Sequence, residues 1–155
     1  AFGMTIHYHN RTELPADLAQ GATYHANVES LLRVSDFLSL HAPATPETRG
    51  LLNAERIALL PQGAVVVNTA RGDLVDDEAL LAALRSGRLF AAGLDVFAGE
   101  PNIHPGYREL ENVFLLPHLG SATTETREAM GMTALDNLEA FFAGRPVPNP
   151  VTPPQ

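Results

Sequence analysis

At 155 residues, 45% of them apolar, the chain is long enough for one domain with a real core, and a disordered polypeptide is excluded. A formal charge of −8 spread without long acidic or basic runs argues against a polyanion such as nucleic acid as a partner, and the absence of cysteine excludes disulfides and thiolate chemistry. No run approaches the roughly 18 apolar residues of a membrane span, and the start, AFGMTIHYHN, lacks the order of a signal peptide, so a cytoplasmic protein without a membrane partner is expected.

Residues 4–8, MTIHY, form a short strand pattern, and Ala1-Phe2-Gly3 before them resembles the tail of a helix closed by a glycine, so an upstream portion is expected. Leu14-Pro15 breaks the chain, residues 16–20 make one helical turn, and residues 23–25 are a weak strand. Asn27 can cap a helix through about Val34, after which residues 36–40, DFLSL, form a strand ending at His41-Ala42-Pro43. Thr45-Pro46-Glu47-Thr48 has the signs of a helix start, and Asn53 can cap a second short helix through Leu60. Residues 64–68, AVVVN, are the strongest strand. Their β-branched run predicts burial on both faces, as in a parallel sheet. Asp76 caps an amphipathic helix that Gly87 ends, and residues 89–94 and 113–116 supply two further strands. In the last helix, beginning near Thr123, Met130, Ala134, Leu138, Phe141 and Phe142 predict a core-facing stripe. Alternating strands and helices give an α/β doubly wound parallel sheet over residues 1–144, and the proline-rich residues 145–155 read as a surface tail.

Ligands in such sheets sit beyond the carboxyl ends of the strands. Four strands end there in polar residues: at His41, at Asn68 through Gly72, at Asp95 through Glu100, and at His118 through Ser121. Glu100 and His118 form a candidate pair, since a carboxylate on one imidazole nitrogen fixes the tautomer and makes the other nitrogen a proton donor near neutral pH. The alternative is a capping histidine and a solvated turn glutamate. Arg71 can clamp a carboxylate with two parallel hydrogen bonds, and Arg, His and Glu together suit a 2-keto acid. His7 and His9 share a strand face, but without a third ligand no metal site is expected.

NTARGDLVDDEAL, GLDVFAGEP and LLPHLGSAT, in that order and spacing, resemble the signature of the D-isomer-specific 2-hydroxyacid dehydrogenases, and the likeness runs from Met4 to Val151. It implies a Rossmann-like fold, a nicotinamide cofactor and a reductase of the glyoxylate or hydroxypyruvate kind. By the same resemblance Arg71 binds the substrate carboxylate, His118 is the general acid/base and Glu100 is its partner. Ala42, Thr69, Ala70, Asp95, Gly120 and Ser121 fall along the cofactor, with Asp95 and Ser121 near the nicotinamide amide. Pro43, Arg71 and His118 adjoin them. Family members acting on formate carry glutamine at the place of Glu100, so formate is a poor substrate candidate.

NAD-preferring relatives put an acid at the end of the strand that MTIHY represents; this chain has His9, Asn10, Arg11 and Thr12. Arg11 can pair with a 2′-phosphate and Asn10 or Thr12 can donate to it, which favours NADP over NAD. The alternative is that Arg11 stacks on adenine and both cofactors are accepted. No two glycines are one residue apart, so the G-x-G-x-x-G fingerprint is absent, and the chain resembles the carboxyl-terminal portion of such an enzyme. Alone it should bind cofactor poorly and turn over nothing measurable; the full-length parent is expected to be a homodimer. In the strand order 3-2-1-4-5-6, MTIHY and DFLSL take the second and fourth places, so the strand between them is expected to be missing. A rival from another class is a nicotinamide-binding co-repressor, which shares the fold and motifs but acts in protein recognition.

Overall fold

Side chains one position ahead of the helices fix where four of them begin. In the computed structural model, which describes residues 2–151, Asn27 accepts the Ser30 N–H at 2.8 Å and opens α2 (Val28–Leu32). Asn53 accepts the Arg56 N–H at 3.0 Å and opens α3 (Ala54–Ile57), and Asp76 accepts the Ala79 N–H at 3.1 Å and opens α4 (Asp77–Arg85). Thr123 does the same for α5 (Thr124–Phe142) through Thr126 at 3.2 Å. Each such cap is worth about 1 kcal/mol. The turn at residues 16–20 is α1 (Ala16–Ala19), which has no side-chain cap.

All strands run parallel, in two ladders. β1 (His7–Tyr8) pairs with β2 (Thr23–Tyr24), while β3 (Phe37–Leu40), β4 (Ala64–Asn68), β5 (Leu89–Leu94) and β6 (Val113–Leu115) form a four-stranded sheet in that order. Among the described residues no backbone hydrogen bond joins β1 to β3, so the expected break between MTIHY and DFLSL is present. Met4 and Thr5 fall outside the ladder, which starts where Ile6 C=O accepts the Thr23 N–H.

One face of the four-stranded sheet makes the core. Leu38, Leu40, Val66, Leu89, Ala92 and Leu94 pack there with Ile57 of α3 and Leu80, Leu81 and Leu84 of α4. The burial of β4 on both faces does not hold. Ala64, Val66 and Asn68 are buried while Val65 and Val67 are half-covered, and Phe37, Phe90 and Phe114 on the other strands of the sheet are each exposed by 68% or more. A parallel sheet buries a face only where helices lie on it.

Two further expectations are corrected. Thr45-Pro46-Glu47-Thr48 begins no helix: the Thr48 hydroxyl turns back to Pro43 C=O at 2.6 Å, and Gly50, at φ +62°, gives its N–H to Asp73 C=O instead of extending a coil. The stripe on α5 is not core-facing, with Met130, Leu138 and Phe141 exposed by 59%, 53% and 67%. The described residues fall into two compact units, 2–117 and 118–151, and α5 is the one helix of the second. A single helix cannot cover its own apolar stripe. Ala1 and the end of the proline-rich tail, 152–155, lie outside the described residues.

Candidate functional site

The strands of the larger sheet stop together. Leu40 pairs with Asn68, Asn68 with Leu94 and Leu94 with Leu115, so residues 41–43, 69–71, 95–100 and 116–117 all leave one edge. Ala42 is half-buried there, and Pro43 and Thr69 are exposed.

Asn68 shapes the loop that carries Arg71. Buried to 1% exposure, its side chain accepts the Ala70 N–H at 3.1 Å and donates to the Arg71 C=O at 2.9 Å. An isolated amide in a core would be costly; here both its ends are used to fold the chain back on itself. Arg71 is exposed, its guanidinium donating to Ala70 C=O at 2.6 Å. Sequence reading places Asn68 at a strand end without showing this role. The available signal was an amide closing an otherwise apolar strand.

The next loop carries Asp95 and Glu100. Asp95 is buried, and its N–H donates to Asn68 C=O at 3.0 Å, tying the loop start to β4. Glu100 is exposed and its Oε1 accepts the Phe97 N–H at 2.7 Å; the bond to Pro101 is cis. The Arg71 and Glu100 loops touch at Gly72. A Cβ built there would lie 1.9 Å from the Phe97 carbonyl carbon and 2.2 Å from the Ala98 nitrogen, so only glycine fits.

His118 opens the second unit with Gly120 and Ser121 beside it, all three exposed. Its φ of +56° puts a non-glycine residue in the left-handed region, where histidine is more tolerant than most side chains. Such conformations gather at functional sites. A turn closed by Ala122 N–H on Leu119 C=O at 2.9 Å leads into the Thr123 cap of α5.

At the end of β1 the His9 ring lies stacked near Tyr24, with Nδ1 held at 2.7 Å from His25 C=O. Asn10, Arg11 and Thr12 follow, all exposed. The acid beside this end, Glu29, is paired with Arg56 at 2.9 Å; its own backbone amide first, and then Arg56, hold its carboxyl below the ordinary range. Residues 10–12 thus present a guanidinium and two neutral polar side chains, with no acid among them. His7 turns to His25, Nδ1 to Nε2 at 3.0 Å. The described residues hold no group of three or more metal-ligating side chains, and no helix among them is long and apolar enough to cross a membrane.

Residues 1–120 match the family described as D-isomer specific 2-hydroxyacid dehydrogenase, NAD binding domain. A glycerate dehydrogenase from Hyphomicrobium methylovorum is 54% identical over 145 residues, which span 92% of this chain and 45% of that protein. A glyoxylate reductase from Thermococcus litoralis is 45% identical over 149 residues, 96% of this chain and 45% of its own. The crystal structure of an NADPH-dependent glyoxylate/hydroxypyruvate reductase from Sinorhizobium meliloti, in complex with NADP and malonate, superposes with a TM-score of 0.90 at 38% identity, covering 97% of this chain and 46% of that one. The chain thus spans about half the length of the relatives it matches.

Proposed function

Since the chain belongs to the D-isomer-specific 2-hydroxyacid dehydrogenase family through its NAD-binding domain, we propose that it is the cofactor-binding half of an enzyme that reduces a small 2-keto acid, such as glyoxylate or hydroxypyruvate, with NADPH. In this reading residues 1–144 are a partial dinucleotide-binding domain, 145–155 are a tail, and the whole enzyme is a cytoplasmic homodimer. The observation that carries it is the register of β3 to β6, which brings the Arg71 and Glu100 loops off one sheet edge and locks them together at Gly72.

Each role follows from side-chain chemistry. Arg71 holds the substrate carboxylate with two parallel N–H donors. His118 carries a proton on an imidazole nitrogen and passes it to the keto oxygen as negative charge develops there. Glu100 accepts the other ring N–H, which fixes the tautomer. Asp95 and Ser121 orient the nicotinamide amide, while Ala42, Pro43, Thr69, Ala70 and Gly120 line the cofactor. When bound, the nicotinamide group supplies the hydride for reduction and takes it up for oxidation. His9, Asn10, Arg11 and Thr12 hold the 2′-phosphate.

The test is an assay of the whole enzyme with glyoxylate, hydroxypyruvate and each reduced cofactor. Rapid turnover supports the reductase; tight cofactor binding with negligible turnover makes the protein a binding module of the co-repressor kind. Arg11→Ala is expected to raise KM for NADPH by about tenfold or more, the worth of a charged hydrogen bond at about 1.5–3 kcal/mol, and to leave KM for NADH nearly unchanged. Equal effects on both would make Arg11 an adenine-stacking residue.

A further inference from the structure

The acidic first turn of α4 is turned toward the loop that carries Glu100. Asp77 Oδ1 accepts the Tyr107 O–H at 2.6 Å, although 30 residues separate them. Tyr107 is 1% exposed, and its ring meets Phe97 edge-on with centroids 5.9 Å apart. Phe97 is the residue whose N–H donates to Glu100 Oε1. Burial first, and after it the Asp77 carboxylate, push the Tyr107 phenol far above its usual range, so it remains a donor at any working pH.

A second link runs parallel. His104 Nδ1 accepts the Gly106 N–H at 3.1 Å, which leaves the neutral ring its proton on Nε2, 3.0 Å from Glu78 Oε1. Gly106 is pressed on α4: a Cβ there would lie 2.9 Å from Arg85 Nη2 and 3.0 Å from Leu81 Cδ1. Asp76 already caps the helix, so Asp77 and Glu78 are left to hold the loop.

The geometry points to Tyr107 and Asp77 as positioning residues for the reaction: their hydrogen bond seats Phe97, and the Phe97 amide sets the Glu100 carboxylate that the reading above places against His118. The inference rests on that reading. Neither residue touches substrate or cofactor in it. Both act by keeping a carboxylate within the few tenths of an ångström that a proton-transfer pair requires.

In the whole enzyme, kcat against pH, both Michaelis constants and the urea midpoint are measured for Tyr107→Phe, Glu100→Gln and the double variant. Glu100→Gln is expected to move the upper limb of the reduction profile to lower pH, because the imidazolium loses its anionic partner. Tyr107→Phe should move the same limb in the same direction by less, lower kcat by about tenfold, and leave both KM values within about twofold. In the Glu100→Gln background it should change kcat no further. A Tyr107→Phe profile that stays put while Glu100→Gln moves, or a full extra loss in the double variant, overturns the positioning role alone. An unmoved Glu100→Gln profile overturns the Glu100–His118 pairing, and this inference with it. Should Tyr107→Phe not fold, Asp77→Ala, which removes the acceptor and keeps the Tyr107 ring, carries the same comparison.

Discussion

Replacing His118 with alanine in the whole enzyme is expected to lower kcat by about a thousandfold, the middle of the range for a positioned general acid, while the NADPH dissociation constant changes by about twofold or less. The split follows from the proposed role, in which the proton is needed only as the keto oxygen gains charge, whereas cofactor affinity is spread over many contacts. The backbone complicates a simple reading. His118 sits at φ +56°, and alanine in the left-handed region costs roughly 1–2 kcal/mol. His118→Asn removes that ambiguity, since asparagine tolerates the conformation but has no titratable proton. Both variants should lose turnover alike, with the asparagine variant keeping the parent's urea midpoint. Near-normal turnover in either would remove His118 from the chemistry.

Gly72→Ala is expected to cost about 3 kcal/mol or more, at or beyond the top of the usual overpacking range. The added methyl would meet the Phe97 carbonyl carbon at 1.9 Å, its oxygen at 2.3 Å and the Ala98 nitrogen at 2.2 Å. These are backbone atoms, and no rotamer change moves them. The two loops must part, and because one carries Arg71 and the other Glu100, activity should fall even in the molecules that stay folded. A urea titration reads the first effect as a lower midpoint, and single-turnover kinetics reads the second. A wild-type midpoint would mean that the loops do not touch as described.

The features legible in the sequence are those whose physics is local. Asn27, Asn53, Asp76 and Thr123 each satisfy an amide three residues on, so helix starts could be read directly. Strands β3, β4 and β5 announced themselves by apolar runs between turn residues, and the long motifs pointed to the family. What depends on distant partners was hidden. The Thr45 turn carries helix-start residues, yet the Asp73 carbonyl captures Gly50. The apolar residues of α5 have helical spacing, yet spacing cannot say whether a partner covers them. Tyr107 and Asp77, or Gly72 and Phe97, meet only after strands and helix have set their loops side by side, so neither pair leaves a mark in the local pattern.

The separation of the two ladders also bears on how the protein opens. β1 and β2 hold each other through a few bonds, Thr23 N–H to Ile6 C=O and His25 N–H to Tyr8 C=O among them, and none of their side chains is fully buried. Two strands alone are marginal in water, whereas β4 lies between two neighbours with Val66 at 0% exposure. Amide hydrogens of Thr23 and His25 should therefore exchange with deuterium by local opening, long before those of β4. His9, Asn10, Arg11 and Thr12 ride on this loose layer. In the chain alone that looseness works against a nucleotide held by those residues, because binding must first order the layer that carries them.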